Sequence, residues 1–273
     1  MARGKSNKLG KVIVVKIGGA TLGSHDTTIE DIVYLQQGGK SLVVVHGGGK
    51  VITDWLERWG IATRFVHGER VTDEATLEVV VSVLAGLVNK EIVAAINSLG
   101  GKAVGISGVD GALIQGRIKD EALGYIGTVV KVTPAPLEVL LQSGYVPVVA
   151  PVSLHADKPG KAPKVLNINA DAVAGEIAAA IGADRLIFLT DVVGICDQSG
   201  NLLPRLSPDE AEALIASGAA SGGMIPKIKA CLRALSGTST TRIIDGRQRH
   251  ALLKEIEEGS CGTTIQKVYY GKD

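Results

Sequence analysis

The chain has 273 residues, 45% of them hydrophobic and 21% charged, which is enough for one large or two modest globular domains with a sizeable core. Its 29 basic and 28 acidic residues give a net charge of +1, which argues against the strong basic bias of a nucleic-acid or anionic-membrane binder. Aromatic residues make up only 3%, too few for base-stacking surfaces. The 35 glycines are close to double the usual share of roughly 7% and indicate an unusual need for bare backbone.

Cysteine usage and the N-terminus indicate the compartment. Cys196, Cys231 and Cys261 form no CxxC pair, so the sequence predicts neither a disulfide framework nor a zinc site. The charged start, MARGKSNKLGK, is followed only by VIVV before Lys16, which is too short for the apolar region of a signal peptide or for a membrane span. We expect a cytoplasmic protein that binds neither nucleic acid nor a membrane.

Short runs of Val, Ile and Leu that end in glycine alternate along the chain with stretches of helical periodicity. The predicted strands are, in order, VIVVKIGG (12–19), LVVVHGGG (42–49), AVGISG (103–108), YVPVVAPV (145–152), RLIFLTDVVG (185–194) and TRIIDG (241–246). The predicted helices lie at 27–37, 50–59, 73–98, 136–143, 170–181, 207–217, 223–236 and 248–258. Continuous apolar runs are typical of strands buried on both faces, so the alternation predicts an α/β sandwich around a mainly parallel sheet.

Three other segments interrupt this alternation. Residues 64–71 and 111–133 alternate apolar and polar side chains with glycine breaks, which predicts antiparallel hairpins that lie as flaps at one edge of the sheet. The stretch SLHADKPGKAPK (153–164) is predicted to be a loose connector between two strands. A change of pattern near residues 180–185 predicts two lobes, 1–182 and 183–273, that share one sheet.

Two glycine clusters follow neighbouring predicted strands: Gly18 with Gly19, and residues 47–49. Ligands of open α/β sheets bind at the carboxyl ends of the strands, where bare amides and helix N-termini favour anions. The two loops are therefore suited to hold one phosphoryl group, and tight strand-to-helix turns are the alternative. Neither loop matches a P-loop, and a dinucleotide fingerprint is also absent, so a nicotinamide-binding domain is disfavoured.

Three charged residues stand where a phosphoryl group would bind. Lys16 lies inside an apolar strand, where an ammonium group needs an anionic partner, either a structural carboxylate or a phosphate. Asp171 begins an Ala-rich helix and is a candidate partner, although favourable helix-start electrostatics also explain it. Lys227 lies about one turn into the helix opened by GGMIPKIK (222–229), where it presents its ammonium group beside helix amides unless it is an ordinary surface lysine.

Arg70, Asn167 and His46 are further polar residues near predicted strand ends. Arg70 stands between a hairpin and a long helix, and its guanidinium matches a carboxylate in a two-point contact, although a surface position is equally compatible with the sequence. Asn167 is not explained by the helix start that follows it. His46 heads the second glycine loop, but the five histidines are scattered without HxxxH or HExxH, so we predict no metal site and no catalytic histidine.

Nine motifs spread over nearly the whole chain resemble, in content and order, those of the amino acid kinase family. They are VVKIGGATL (14–22), VVVHGGGK (43–50), HGERVTD (67–73), LAGLVNKEIVAAI (84–96), GISGVDGALI (105–114), YVPVVAP (145–151), LNINADAVAGEIA (166–178), LTDVVGI (189–195) and GGMIPKI (222–228). Within that family the chain is similar to members that phosphorylate N-acetyl-L-glutamate. The resemblance implies a three-layer αβα sandwich with an N-terminal lobe for N-acetyl-L-glutamate and dimerisation. It implies a C-terminal lobe for ATP with Mg²⁺, and the product N-acetyl-L-glutamyl 5-phosphate of arginine biosynthesis.

The resemblance also implies roles for residues at matching positions. Lys16 and Lys227 would stabilise the transferring phosphoryl group, and Asp171 would orient them. The other implied roles are amide donors to that group (Gly18, Gly19 and Gly48), acetylglutamate contacts (Gly48, Gly49, Arg70 and Asn167) and a nucleotide pocket (Thr190, Asp191, Gly194 and Gly223). No residue is assigned as a metal ligand.

This chemistry needs no general base, because a side-chain carboxylate with a reference pKa of about 4.3 is already an ionised nucleophile. Three alternatives remain: a kinase of α-aminoadipate held on an acidic carrier protein, a non-catalytic sensor on the same scaffold, and a nicotinamide dehydrogenase. The intact HGGGK and NINADA motifs favour a free acetyl amino acid over the carrier-bound substrate. The presence of Lys16, Lys227 and Asp171 argues against the sensor.

The N-terminus bears on regulation and assembly. Arginine-inhibited members of the family resemble one another in a long N-terminal helix before the first strand. Here only 11 residues precede Val12, and Gly4 and Gly10 are among them, which is too short and too broken for that helix. We therefore expect an arginine-insensitive homodimer.

Overall fold

A computed structural model describes residues 10–18, 27–66, 68–157, 164–259 and 262–267. An eight-stranded sheet forms the centre of the fold. Its strands, in spatial order, are β12 (Arg205–Leu206), β14 (Thr263–Gln266), β13 (Thr240–Asp245), β11 (Arg185–Thr190), β1 (Val12–Ile17), β2 (Ser41–His46), β8 (Val146–Ala150) and β5 (Ala103–Ser107). The six strands from β13 to β5 run parallel, and β14 runs antiparallel to β13. The predicted mainly parallel sheet is confirmed.

Helices cover both faces of this sheet. One face carries α1 (Thr28–Gln37), α2 (Gly49–Arg58), a long helix (Glu74–Ser98) and α9 (Ala251–Glu258), and the other carries α5 (Ala135–Gln142), α6 (Ala170–Ile181), α7 (Pro208–Ala216) and α8 (Met224–Ala234). Successive strand residues point to opposite faces, so Val14 packs in one core layer and Val15 in the other. The result is a three-layer αβα sandwich.

The long helix has three parts: α3 (Glu74–Val81), a π-helical segment (Ser82–Val88) and α4 (Asn89–Ser98). Apolar residues recur at every fourth position from 80 to 96, a spacing that drifts by about 40° per step around an ideal α-helix. The wider π turn keeps these side chains on the sheet side, where they are buried. By length and mean hydropathy (2.0 over 18 residues) the helix could cross a membrane, but 44% of that window is buried within this fold.

Two hairpins and a four-stranded ring lie beside the sheet. β3 (Phe65–Val66) pairs antiparallel with β4 (Glu69–Arg70), and β6 (Ile114–Ile118) pairs antiparallel with β7 (Ile126–Val132). β9 (Val152–His155) and β10 (Val165–Ile168) close the ring around β6 and β7. Both predicted hairpins are confirmed. The predicted connector is wrong at its start, because β9 pairs there with β6 and β10; residues 158–163 lie outside the described part.

Candidate active site

Lys16, Asp171 and Lys227 converge at the carboxyl edge of the sheet. The Asp171 carboxylate lies between the two ammonium groups: its Oδ1 is 2.8 Å from Lys16 Nζ, and its Oδ2 accepts a 3.1 Å hydrogen bond from Lys227 Nζ. Lys16 is only 7% exposed and Asp171 only 6%. The predicted pairing of Asp171 with Lys16 is confirmed, and Lys227 is a member of the same cluster instead of a free surface lysine.

Local sequence places the strand and helix members of this cluster. Lys16 shares a face of β1 with Val12 and Val14, which pack in the core layer that contains α6, because alternate strand residues point the same way. The Asn169 side chain caps α6 by accepting hydrogen bonds from two amides of its first turn. Asp171 therefore sits in that first turn, with its carboxylate facing the end of β1.

The approach of α8 to α6 depends on Gly175. A Cβ atom at this position would lie 2.6 Å from the carbonyl oxygen of Ala230 on α8, closer than side chains can be placed without a shift of backbone. Gly175 lies one helical turn after Asp171, and Ala230 lies about one turn after Lys227. The direct contact between the two helix backbones therefore brings the Lys227 ammonium group to the carboxylate.

The electrostatics of the cluster favour an anionic ligand. Burial opposes ionisation of Asp171, but the ammonium groups of Lys16 and Lys227 outweigh it and hold the pKa of this carboxyl group below its usual value. One carboxylate between two lysines leaves a formal charge of +1 where little water can reach. A transferring phosphoryl group is an anion that would compensate this charge.

The two glycine loops are neighbours at the same edge of the sheet. The backbone N–H of Gly47, after β2, donates a 3.2 Å hydrogen bond to the carbonyl of Ile17, at the end of β1. The backbone N–H of Gly18 donates at 3.3 Å to the carbonyl of Leu189 on the other side of β1. The loops after β1 and β2 are thus adjacent, as expected; Gly19 lies outside the described residues.

Arg70 is tied to the second glycine loop. It is 8% exposed, and its Nη2 donates hydrogen bonds to the Gly49 carbonyl (3.1 Å) and to Thr53 Oγ1 (2.7 Å). Its guanidinium also lies 4.8 Å from the ring centroid of Phe65. Burial lowers the pKa of Arg70 from its ordinary high value, and the group remains cationic at neutral pH. The surface alternative for this arginine is wrong.

Asn167 joins the same region through Thr72. Asn167 Nδ2 donates a 3.3 Å hydrogen bond to Thr72 Oγ1, and Thr72 Oγ1 donates a 3.0 Å hydrogen bond to the Arg70 carbonyl. Thr72 is completely buried. The structure therefore connects Arg70 and Asn167, which lie almost 100 positions apart in sequence, through one buried hydroxyl group.

A cleft of about 830 Å³ opens beside the Lys–Asp–Lys cluster. Its volume is within the range of roughly 300–1,000 Å³ that is usual for small-molecule sites. The lining includes Asp171, Lys227 and Gly223 together with Gly68, Glu69, Lys119 and Thr128 of the two hairpin regions. The lining also contains two ion pairs, Lys119 with Glu69 at 2.5 Å and Arg233 with Glu176 at 2.8 Å. A ligand in this cleft would contact Asp171 and Lys227 of the cluster.

Comparison with known proteins settles the family. A sequence model described as "Amino acid kinase family" matches residues 11–245. The chain belongs to the amino acid kinase family. An acetylglutamate kinase of Dehalococcoides mccartyi is 50% identical over 255 residues, which cover 93% of this chain and 94% of that protein. An acetylglutamate kinase of a Nostoc species is 50% identical over 265 residues, covering 94% and 88%.

A solved structure of the protein smu.665 from Streptococcus mutans matches the fold of this amino acid kinase with a TM-score of 0.80 at 27% identity. The match covers 94% of this chain and 99% of that chain. The parallel sheet between two helical layers is therefore shared over nearly the full length of both proteins.

The four residues predicted for the nucleotide pocket of this amino acid kinase fall in two places. Gly223 precedes α8 and lines the cleft. Thr190 is the last residue of β11 and Asp191 and Gly194 follow it; all three are outside the described lining of that cleft. The buried Thr190 hydroxyl lies 3.0 Å from two backbone carbonyls, and a Cβ at Gly194 would lie 2.7 Å from Thr263 Oγ1. Both residues shape the turn after β11, and their nucleotide contacts stay a prediction.

The carboxylates of the described cleft are not arranged as metal ligands. In the described part of the chain, no three His, Cys, Asp or Glu side chains gather in one place. Asp171 is engaged by two lysines, and Glu69 and Glu176 each pair with one cation. Each of these cleft carboxylates is therefore already paired with at least one cation.

Thr53, Thr72 and Asn89 support the site but are not singled out by the sequence motifs. Thr53 lies one helical turn after Gly49 and donates a 3.0 Å hydrogen bond back to its carbonyl, a spacing that was available in the sequence. Asn89 is a single polar residue beside the apolar stripe of the long helix, which is a signal for a specific polar contact. Thr72 gave no such signal, since only the fold brings it to Asn167.

Proposed function

We propose that this protein transfers the γ-phosphoryl group of ATP to the side-chain carboxylate of N-acetyl-L-glutamate and forms N-acetyl-L-glutamyl 5-phosphate for arginine biosynthesis. The observation that carries the choice of substrate is the 50% identity to acetylglutamate kinases across more than nine-tenths of the chain. The buried cluster of Lys16, Asp171 and Lys227 supports phosphoryl transfer as the reaction.

In this mechanism the substrate carboxylate attacks the γ-phosphorus directly. It is ionised at neutral pH, so the protein has to align the reactants and neutralise charge, and no side chain removes a proton. Lys16 and Lys227 donate hydrogen bonds to oxygens of the migrating phosphoryl group. Asp171, held by both ammonium groups, orients them and reduces their mutual repulsion. The amides of Gly19 and Gly48 complete the set of donors, whereas the Gly18 N–H, the third predicted donor, is already bonded to the Leu189 carbonyl.

The remaining site residues divide between the two substrates. Arg70 and Asn167 bind the α-carboxyl end of acetylglutamate beside the backbone of Gly48 and Gly49. Thr190, Asp191, Gly194 and Gly223 would hold ATP, and Mg²⁺ bound with it would neutralise phosphate charge. Residues 1–182 then form the acetylglutamate lobe and residues 183–273 the ATP lobe of a cytoplasmic enzyme. The cleft supports this division, because residues of both ranges line it.

We also propose that two copies of the chain pair through the outer side of the long helix. Less than half of its apolar window is buried, and β5, next to it, is an edge strand of the described sheet. A second copy would cover both features. Light scattering is expected to give a mass of about twice 28.3 kDa. A monomer or a hexamer would contradict the proposed homodimer.

The test of function is a coupled ADP-release assay with ATP and Mg²⁺. N-acetyl-L-glutamate, glutamate, aspartate, carbamate and carrier-bound α-aminoadipate serve as acceptors in parallel, and hydroxylamine traps the acyl phosphate. We expect efficient turnover and a trapped hydroxamate only with N-acetyl-L-glutamate. Faster turnover of carrier-bound α-aminoadipate, or of any other acceptor, would overturn the proposal.

Arg70→Lys is expected to raise the KM for N-acetyl-L-glutamate by roughly tenfold or more and to change kcat little. The guanidinium holds Gly49 and Thr53 while it presents further N–H donors, and a single ammonium group cannot do both. Steady-state kinetics measure the effect, with the KM for ATP as internal control. An unchanged KM for N-acetyl-L-glutamate would remove Arg70 from its proposed site.

A further inference from the structure

His46 is a buried polar side chain at the entrance to the second glycine loop (residues 47–49). It is the last residue of β2 and is completely buried. Burial lowers the pKa of His46 to about 4; the hydrogen bond to Gly47 opposes this shift, and the nearby charges of Lys16 and Lys90 add to it. The imidazole is therefore neutral at physiological pH.

The partners of the ring fix its tautomer. Nδ1 lies 2.9 Å from the Gly47 carbonyl oxygen, and Nε2 lies 3.2 Å from Asn89 Nδ2. A carbonyl oxygen only accepts and an amide nitrogen only donates, so Nδ1 carries the proton and Nε2 accepts. The ring thus links the first residue of the glycine loop to the first residue of α4.

The Asn89 side chain is fixed by burial and by hydrogen bonds to several neighbours. It is completely buried, and its Nδ2 also donates a 2.9 Å hydrogen bond to the Val148 carbonyl of β8. Its Oδ1 accepts a 3.0 Å hydrogen bond from Lys90 Nζ. A Cβ atom at Gly105 would lie 1.9 Å from this oxygen, so the strand β5 backbone closes against the amide. The Asn89 side chain therefore has little freedom to move.

The same helix also contacts the glycine loop directly. A Cβ atom at Gly48 would lie 2.8 Å from Leu84 Cδ2 and 3.5 Å from Val88 Cγ2, both in the π-helical segment. Asn89 follows that segment immediately. The loop is thus held between apolar contacts at Gly48 and the hydrogen-bonded imidazole at Gly47.

We infer that His46 and Asn89 act together as a positioning pair that fixes the glycine loop where the substrate carboxylate and the phosphoryl group meet. Neither side chain touches a substrate in this scheme, and both act through the backbone of residues 47–49. The inference rests on the proposed function, in which Gly48 and Gly49 contact those groups. A small displacement of such a loop is costly, because a shift of about 1 Å can reduce catalysis by roughly 10²-fold.

The test compares Asn89→Ala with a matched variant on the same helix, Asn97→Ala. Asn97 also joins α4 to β5: its Nδ2 donates to the Ala103 carbonyl at 3.3 Å, and its Oδ1 accepts from the Ala103 N–H at 2.7 Å. Within the described part of the chain, neither of these hydrogen bonds involves the glycine loop. We expect Asn89→Ala to lower kcat/KM for N-acetyl-L-glutamate by about 10- to 100-fold, with the KM for ATP within about twofold. Asn97→Ala is expected to lower Tm without this kinetic loss.

His46→Asn provides a second variant that is expected to fold, since its amide can still donate to the Gly47 carbonyl. It should lose less activity than His46→Leu, and its effect should not add to that of Asn89→Ala in the double variant. Normal kcat/KM in folded Asn89→Ala and His46→Asn, or an equal kinetic loss in Asn97→Ala, would overturn the positioning role. A wild-type protein that does not phosphorylate N-acetyl-L-glutamate would instead overturn the proposed function.

Discussion

Lys16→Ala and Lys227→Ala are each expected to lower kcat for N-acetyl-L-glutamate by a factor on the order of 10²–10³. Each substitution removes one of the two ammonium groups that contact Asp171, at 2.8 Å and 3.1 Å. The loss should fall on kcat more than on KM, because these donors are needed most where charge develops in the transition state. ADP release at saturating substrates measures it directly.

Lys11→Ala is the matched control for Lys16→Ala. Lys11 immediately precedes β1, and its side chain is 85% exposed. Its ion pair with Asp184 is long, at 3.6 Å. We expect its removal to leave kcat within about twofold, since exposed ion pairs contribute little. Circular dichroism should show native folds for all three variants. Near-normal turnover of either Lys16→Ala or Lys227→Ala would contradict the proposed role of that lysine.

Asp171→Asn is expected to reduce both kcat and the free energy of unfolding. The change keeps the size of the side chain but leaves two lysines facing each other without a carboxylate, at a position that is 6% exposed. Removing one partner of a buried ion pair costs about 3–5 kcal/mol. Urea denaturation at neutral pH, followed by circular dichroism, measures the stability change.

The pH dependence of that stability change follows from the lowered pKa of Asp171. A carboxyl group with a lowered folded-state pKa contributes its full stabilisation above the unfolded-state pKa of about 3.9 and loses it as pH falls through the folded-state value. The stability difference between wild type and Asp171→Asn should therefore be constant from about pH 8 to about pH 5 and shrink in more acidic solution. A difference that grows on acidification would contradict this account.

Asp184→Asn is the control carboxylate for that experiment. Asp184 also lies between two cations, Lys11 at 3.6 Å and Arg185 at 3.4 Å, but its side chain is 21% exposed. Its loss is expected to cost no more than about 1 kcal/mol and to leave kcat unchanged. If both substitutions lowered the free energy of unfolding equally, burial of the Asp171 cluster would add nothing to its contribution to stability.

The central layers of the fold were predictable because their physical signals are local. Each of the six predicted strands is a run of apolar residues that must be buried on both faces, and all six are present in the sheet. The start of α7 was also predictable, because the sequence Ser207-Pro208-Asp209-Glu210 indicates an N-cap. The structure shows Ser207 in a capping box with Glu210. Lys16 stood out for the same reason, since a cation inside such a run requires a partner.

Other features depend on contacts between distant segments. β14 is four residues long and its strand partner β12 only two, and neither has a local pattern strong enough to predict pairing. β9 lies in a polar connector by composition, yet pairing with β6 and β10 makes it a strand with a fully buried Ser153. The hydrogen bond between His46 and Asn89 also joins residues that are far apart in sequence. It depends on how the long helix packs against β2, which the sequence does not show.

The contact between Gly175 and Ala230 has a consequence for attempts to divide the chain. It joins a helix of residues 1–182 to a helix of residues 183–273 at backbone distance, and β1 and β11 are hydrogen-bonded across the same boundary. If residues 1–182 were expressed alone, β1 would lose its partner β11 and become an unpaired edge strand, and the alanine-rich face of α6 would be exposed. Both changes favour aggregation. We expect the intact chain to melt in one calorimetric transition, as a single cooperative unit.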